Sequence, residues 1–141
     1  MSYSRRDLTL LFPALAAASA AAQNAALASK TYRFEDLPVR PEGANRFRPV
    51  LEGDTHAGVP IELHMTELGP GQAPHPPHHH VHEEMVLIQE GTLEVTIGGQ
   101  SAKLGPGSVA FVASNEHHGW HNVGSTRALY WVLAVGRDSA A

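Results

Sequence analysis

The chain has 141 residues, enough for one domain with a buried core. Its formal net charge of −4 argues against nucleic acid or an anionic membrane surface as a partner. It holds no cysteine, which excludes disulfides, cysteine-ligated zinc and thiol nucleophiles.

Residues 1–28 read as an export signal. Ser4-Arg5-Arg6-Asp7-Leu8-Thr9-Leu10 is followed by an Ala-rich apolar tract from Leu11 to Ala22. Small residues suited to a signal peptidase come next, as Ala20-Ala21-Ala22 or Ala26-Leu27-Ala28. The paired arginines after a serine resemble a twin-arginine signal, with Leu8 where Phe is usual and Thr9 where Leu is usual. The alternative is a structured N-terminal helix with an ordinary basic pair. Pro13 interrupts the tract, which argues against a membrane anchor. The expected product is periplasmic or secreted and has no anchor after cleavage. The plan that follows is a signal at 1–28, an extension at 29–47, a barrel at 48–136 and a tail at 137–141.

Residues 29–58 are polar and broken by Pro38, Pro41, Gly43, Pro49, Gly53 and Gly58, with room for a short strand at Phe47–Leu51. This stretch is expected to wrap the barrel or pair with a neighbouring subunit. Arg46 and Arg48 read as solvated charge. Ile61 to Leu68 alternates, with Ile61, Leu63 and Met65 on one face and Glu62, His64 and Thr66 on the other, as a half-buried strand does. His64 alone carries no claim as a ligand. Gly69-Pro70-Gly71 is a turn.

The stretch from Gly71 to Gly91 is the chemical centre of the sequence. It carries His75, His78, His79, His80 and His82, then Glu83 and Glu84. Pro74, Pro76 and Pro77 forbid a helix there, so the histidines enter on an extended segment. Met85 to Ile88 then reads as a buried strand. Imidazoles and carboxylates packed together suit a divalent metal.

The remainder alternates strand and turn. Strands are expected at Thr92–Ile97, Gln100–Leu104, Ser108–Val112, His117–Asn122 and Ala128–Val135, the last buried on both faces. Gly98-Gly99 and Gly105-Pro106-Gly107 supply the turns between them. Many short strands with regular turns predict an all-β antiparallel sandwich or small barrel. Val86, Ile88, Leu93, Val95, Ile97, Phe111 and Val112 read as core. On the strand His117–Asn122, parity puts His118, Trp120 and Asn122 on one face and His117 and His121 on the other.

Two motifs carry a resemblance. His78-x-His80, three residues, Glu84, six residues and Gly91 form the first, with the leading glycine displaced by one to Gly71. Gly107, Ala113, Asn115, His118 and Asn122 occupy the places of the second, with Ala113 for the usual proline and Asn115 for the usual glycine. In this the chain resembles a small single-domain cupin over roughly residues 48–135. The resemblance implies an antiparallel jelly-roll β-barrel and four metal ligands, His78, His80, Glu84 and His118. His80 and His82 also make a His-x-His pair, but Val86 stands where its carboxylate should be. A His-rich surface tract with casual metal affinity, or a barrel without metal, is the alternative.

The implied cofactor is one divalent transition metal per chain. Mn or Fe is favoured, with Zn, Ni, Co or Cu as the other choices. A twin-arginine route, which resembles one for proteins that fold before crossing the membrane, would let the metal be loaded inside the cell. Trp120, two residues beyond His118, is the expected pocket wall, with a structural role as its equal alternative. Tyr130 and Trp131 point to opposite faces, so one of them is free to line a cavity. Three functions fit a small-molecule substrate or ligand. The first is a metal-dependent dioxygenase with Glu84 as general base. The second is a non-redox isomerase, lyase or decarboxylase. The third is a binding protein without turnover. Open sheet edges and the resemblance both imply a homodimer.

Overall fold

The computed structural model describes residues 25–138. The arginine pair, the Ala-rich tract and the Ala22 cleavage position lie outside the described residues. Ala28 lies inside them, next to Leu27, whose backbone N–H donates to Asp54 O at 2.8 Å. The Leu27 side chain also sits 3.0 Å from where Gly53 would carry a Cβ. A chain cut after Ala22 keeps this contact, and one cut after Ala28 loses it.

A single 3-10 turn, Phe34–Asp36, precedes nine strands among the described residues. They are β1 (Arg40–Glu42), β2 (Asn45–Asp54), β3 (Pro60–Leu68), β4 (Glu83–Glu90), β5 (Leu93–Ile97), β6 (Gln100–Leu104), β7 (Val109–Val112), β8 (His118–Asn122) and β9 (Ala128–Val135). All pair antiparallel, in a six-stranded sheet ordered β1-β2-β3-β9-β4-β7 and a three-stranded sheet ordered β6-β5-β8. This is the jelly-roll arrangement expected from the sequence. β1 and the start of β2 fall within the stretch read as an extension, because Gly43 at φ 63° lets β1 turn back onto β2.

The main core lies between the two sheets. Val86 and Ile88 of β4 and Tyr130 and Val132 of β9 meet Leu93 and Val95 of β5 and Trp120 of β8. Each such side chain contributes about 1.5–3 kcal/mol of hydrophobic stabilisation on burial. β4, read as a buried strand, is buried on one face only. Val86 and Ile88 point inward, while Leu87 is exposed on the outer face of the sheet. Phe111 corrects the sequence reading in the same way. Its neighbours Ala110 and Val112 face the core, so parity turns Phe111 outward, 54 % exposed on the edge strand β7.

A second cluster lies on the other side of β3 and β9. Leu37, from the N-terminal segment, covers Met65 and Leu129, with Val50 and Trp131 beside them. The extension therefore wraps the barrel. The apolar face of β3 is the one it covers, and the polar face carrying Glu62, His64 and Thr66 shares the barrel side with Ala134, Val132 and Tyr130. Arg48 departs from its reading as solvated charge. It is buried and ion-paired with buried Glu67, which Arg127 also meets at 3.2 Å. Arg46, with its side chain 57 % exposed, stays at the surface.

Candidate metal centre

The segment Gly71–His80 runs along the open edge of β8. Gly71 N–H donates to Asn122 O at 2.9 Å, and Asn122 N–H to Gln72 O at 2.9 Å. Pro74, Pro76 and Pro77 have no N–H to offer, and pairing resumes only at His78. There His78 and His118 exchange both backbone bonds, at 2.9 and 2.8 Å. Residues directly opposite in an antiparallel pair share a face. This one bridge therefore sets two histidines that are far apart in sequence side by side. Gly119 allows the approach, since a Cβ there would lie 3.0–3.1 Å from Pro77. Asn115 N–H donates to His80 O at 2.7 Å, and Asn115 itself holds φ 62°, the left-handed conformation that asparagine tolerates in place of glycine.

Ring nitrogens of His78, His80 and His118 lie within 4.8 Å of one another. Their ring centroids are 4.8–5.1 Å apart. Each ring is oriented by its Nδ1. His80 Nδ1 donates to His82 O at 2.8 Å, His118 Nδ1 to Glu116 O at 2.8 Å and His78 Nδ1 to Pro76 O at 3.4 Å. Such bonds select the tautomer that leaves Nε2 as a lone-pair donor. Burial, with the charges of His75, His118 and His80 added, pushes His78 below the usual histidine range, so its ring favours the neutral, ligating form.

Glu84, at the start of β4, lies beside two of these histidines. Its Oε1 is 3.2 Å from His80 Nε2 and its Oε2 is 3.4 Å from His118 Nε2. His80 Nε2, His118 Nε2 and Glu84 Oε2 are all buried without a hydrogen-bond partner. Buried polar atoms left in that state cost about 1–3 kcal/mol each, and an ion among them would remove the cost. Three imidazoles and a carboxylate fit a divalent transition metal. His78, His80, His118 and Glu84 would hold it.

His82 and Asp138 extend the site beyond what the motifs name. His82 Nε2 lies 3.2 Å from Glu84 Oε1, and its Nδ1 is 2.5 Å from Asp138 Oδ1. The His82 ring stacks on His80 at 3.6 Å. Burial works to raise the Asp138 carboxyl, but the bond to His82 and the charges of His82 and His80 outweigh it and hold it below its usual value. Nitrogens of His80 and His82 and an oxygen of Asp138 form a second group within 4.8 Å. His82 shares strand parity with Glu84, a signal open to sequence reading. Asp138 sits beyond the last strand and gave no signal.

Two open cavities meet at Glu84, His82 and Asp138, one of about 880 Å³ toward β2 and β3 and one of about 570 Å³ toward His79 and Asn115. Trp120 lines neither. It is sealed between the sheets, with its ring centroid 5.7 Å from His118 and 5.9 Å from Tyr130. Tyr130 is likewise core, and burial raises its hydroxyl pKa. Trp131 faces the outer cluster and donates to Gln89 Oε1 at 2.8 Å. Of the other histidines, His75 stands edge-on to His78 at 4.2 Å, His79 and His117 are exposed, and His121 approaches Glu94 at 3.9 Å. His64 does reach a site, because it lines the larger cavity beside Glu62.

A family model for the Cupin domain matches residues 64–135. The chain is a cupin. Among solved structures the cupin is similar to an RmlC-like cupin from Shewanella frigidimarina NCIMB 400, at 18 % identity and a TM-score of 0.65, over 78 % of this chain and 93 % of that one. It is similar to KdgF from Halomonas sp. at 18 % identity and a TM-score of 0.66, over 77 % and 95 %. The polyketide cyclase RemF from Streptomyces resistomycificus matches at 21 % identity and a TM-score of 0.64, over 80 % and 83 %. At such identities the likeness bears on the cupin fold alone. No curated protein sequence matches this cupin.

Proposed function

We propose that this is an exported, metal-binding cupin that holds one divalent transition ion per chain on His78, His80, Glu84 and His118, and that it is a dioxygenase-type enzyme acting on a small organic molecule. One observation carries the reading: buried ring nitrogens and a buried carboxylate oxygen, none with a partner, gather at the edge of two open cavities. When bound, a redox-active ion such as Mn or Fe supplies Lewis-acid and one-electron chemistry.

The chain's own residues supply the rest. The larger cavity admits the substrate and brings it against Glu84. Glu84 Oε1 is placed to take a proton from a substrate hydroxyl or an activated C–H. His82 lies between Glu84 and exposed Asp138, so a proton received at Glu84 has a hydrogen-bonded route to solvent.

The His82–Asp138 pair also favours a second reading, a non-redox isomerase, lyase or decarboxylase, since proton transfer is what that pair serves. RemF, a polyketide cyclase of similar fold, is consistent with it. Oxygen-electrode and product assays on the Mn- and Fe-loaded protein, over phenols, enediols and β-dicarbonyl compounds, separate the readings. Substrate-dependent O₂ uptake is the expected result. Product without O₂ uptake moves the assignment to the second reading. Thermal stabilisation by a compound, with no product across the panel, leaves a binding role and sinks both.

Export bears on the metal. Folding before export would protect Mn or Fe from the Zn or Cu that raw affinity selects. Replacing Arg5 and Arg6 by lysine is expected to retain the protein in the cytoplasm. Unchanged periplasmic protein with unchanged metal would refute the route.

A further inference from the structure

We propose that His82 is a fifth ligand of the ion, one that the two sequence motifs do not name, and that Asp138 is the positioning residue that aims it. The inference rests on the metal centre of the proposed function and adds one donor to it.

The backbone is built to place this ring. His82 precedes β4 by one residue and shares strand parity with Glu84. Glu83 pairs with Val135, so the residue before β4 faces the residue after β9. That residue is Gly136, at φ 104°, and a Cβ on it would stand 3.7 Å from His82 Cα. Gly136 N–H donates to Pro60 O at 2.9 Å, and Arg137 donates to both oxygens of Asp54 at 2.7 and 2.9 Å. These bonds hold the segment that carries Asp138, whose Oδ1 meets His82 Nδ1 at 2.5 Å.

Hydrogen-bond accounting then points to a cation. A neutral imidazole has one N–H. Given to Asp138 at the shorter contact, it leaves His82 Nε2 with a lone pair, 3.2 Å from Glu84 Oε1, which carries only lone pairs itself. His80 stands in the same way, with its N–H given to His82 O and its buried Nε2 3.2 Å from the same oxygen. The two rings stack at 3.6 Å and 11°, so two imidazole lone pairs converge on one carboxylate oxygen. Such a gathering is repulsive until an ion enters it. Its spacing suits one, since donors on adjacent octahedral positions lie about 3 Å apart when each is about 2.1 Å from the metal. A carboxylate on the far nitrogen is the common outer partner of a metal-bound histidine. His82 has one, whereas His78, His80 and His118 have backbone carbonyls in that place. Five protein donors leave one of six octahedral positions open. His82 therefore holds a place that the dioxygenase reading gives to substrate or O₂, and once displaced it is free to carry the proton between Glu84 and Asp138.

The test loads the full-length protein, labelled with nitrogen-15 histidine, with excess cadmium-113. This divalent ion splits the NMR signal of each nitrogen it binds. Four split ring nitrogens are expected in the wild type and three in His82→Phe, which keeps the stack on His80 and removes both nitrogens. His82→Gln repeats the count should the first variant fold poorly. The same number of split nitrogens with and without His82 overturns the proposal and leaves the ring as a charged bridge between two carboxylates. Three split nitrogens in every protein keep the metal centre and lose only the fifth ligand, whereas none in the wild type takes the centre down as well. Asp138→Asn is expected to keep four split nitrogens while binding cadmium about 10-fold more weakly in competition with a chelator. Unchanged affinity overturns the role of Asp138 in aiming the ring.

Discussion

The His118→Leu protein is expected to take up no metal and, in metal-free form, to be within about 1 kcal/mol of metal-free wild type. His118 is 1 % exposed, and its Nε2 faces the centre unpaired. Loss of even an outer partner of a metal site costs about 10–100-fold in affinity, so loss of this nitrogen costs more than about 100-fold. Stability behaves differently. Leucine removes an orphaned polar atom that costs about 1–3 kcal/mol and leaves apolar volume against Trp120 and the register partner Ile97. The bond from Nδ1 to Glu116 O is lost, but Glu116 is exposed and water can replace the donor. Elemental analysis and urea unfolding, each with and without added Mn, check both halves. One equivalent of metal retained in the variant would refute the ligand set. An equal rise in stability with Mn in variant and wild type would do the same.

The second large effect falls on Asn122. Asn122→Ala is expected to lose about 3 kcal/mol of stability, seen in urea as a lower midpoint with an unchanged slope. The side chain is fully buried at the end of β8. Its Nδ2 donates toward Leu68 O at 3.1 Å, Gly69 O at 3.2 Å and Thr126 O at 2.7 Å, and its Oδ1 accepts from Gly124 N–H at 2.9 Å. One amide thus ties the end of β3, the turn after it and the loop into β9. Alanine leaves the carbonyl of fully buried Leu68 without its donor and Gly124 N–H without its acceptor. A loss under about 1 kcal/mol would mean that solvent enters and replaces these bonds. Because Gly71 and Gln72 pair with the Asn122 backbone, a weakened β8 end also loosens the segment that carries His78 and His80.

The strands were largely legible because their signals are local. Gln100–Leu104 and Ala128–Val135 have the limits that their turns and apolar runs suggested, and β3 differs from its reading by one residue. Glycine and proline turns act over three or four residues, and the spacing from His78 to Glu84 over six. Gly91 is an example. A Cβ there would lie 2.7 Å from Ala128 Cα, and its φ of 78° suits glycine.

What the sequence alone determined, then, is the class of fold, the run of strands and the residue types able to hold a metal, since each depends on near neighbours in the chain. The tertiary structure decided which face of each strand is inside. Alternation divides β3 into two faces, but only the arrival of Leu37 over Met65 turns Glu62 and His64 to the barrel side. For Phe111 the same step ran the other way, because nothing among the described residues covers the outer face of β7. It also decided who meets whom. The bridge from His78 to His118 and the contact of His82 with Asp138 join residues 40 or more positions apart. Periodicity is a property of one segment, whereas burial and ligation are properties of pairs of segments, and only the folded chain supplies the partner.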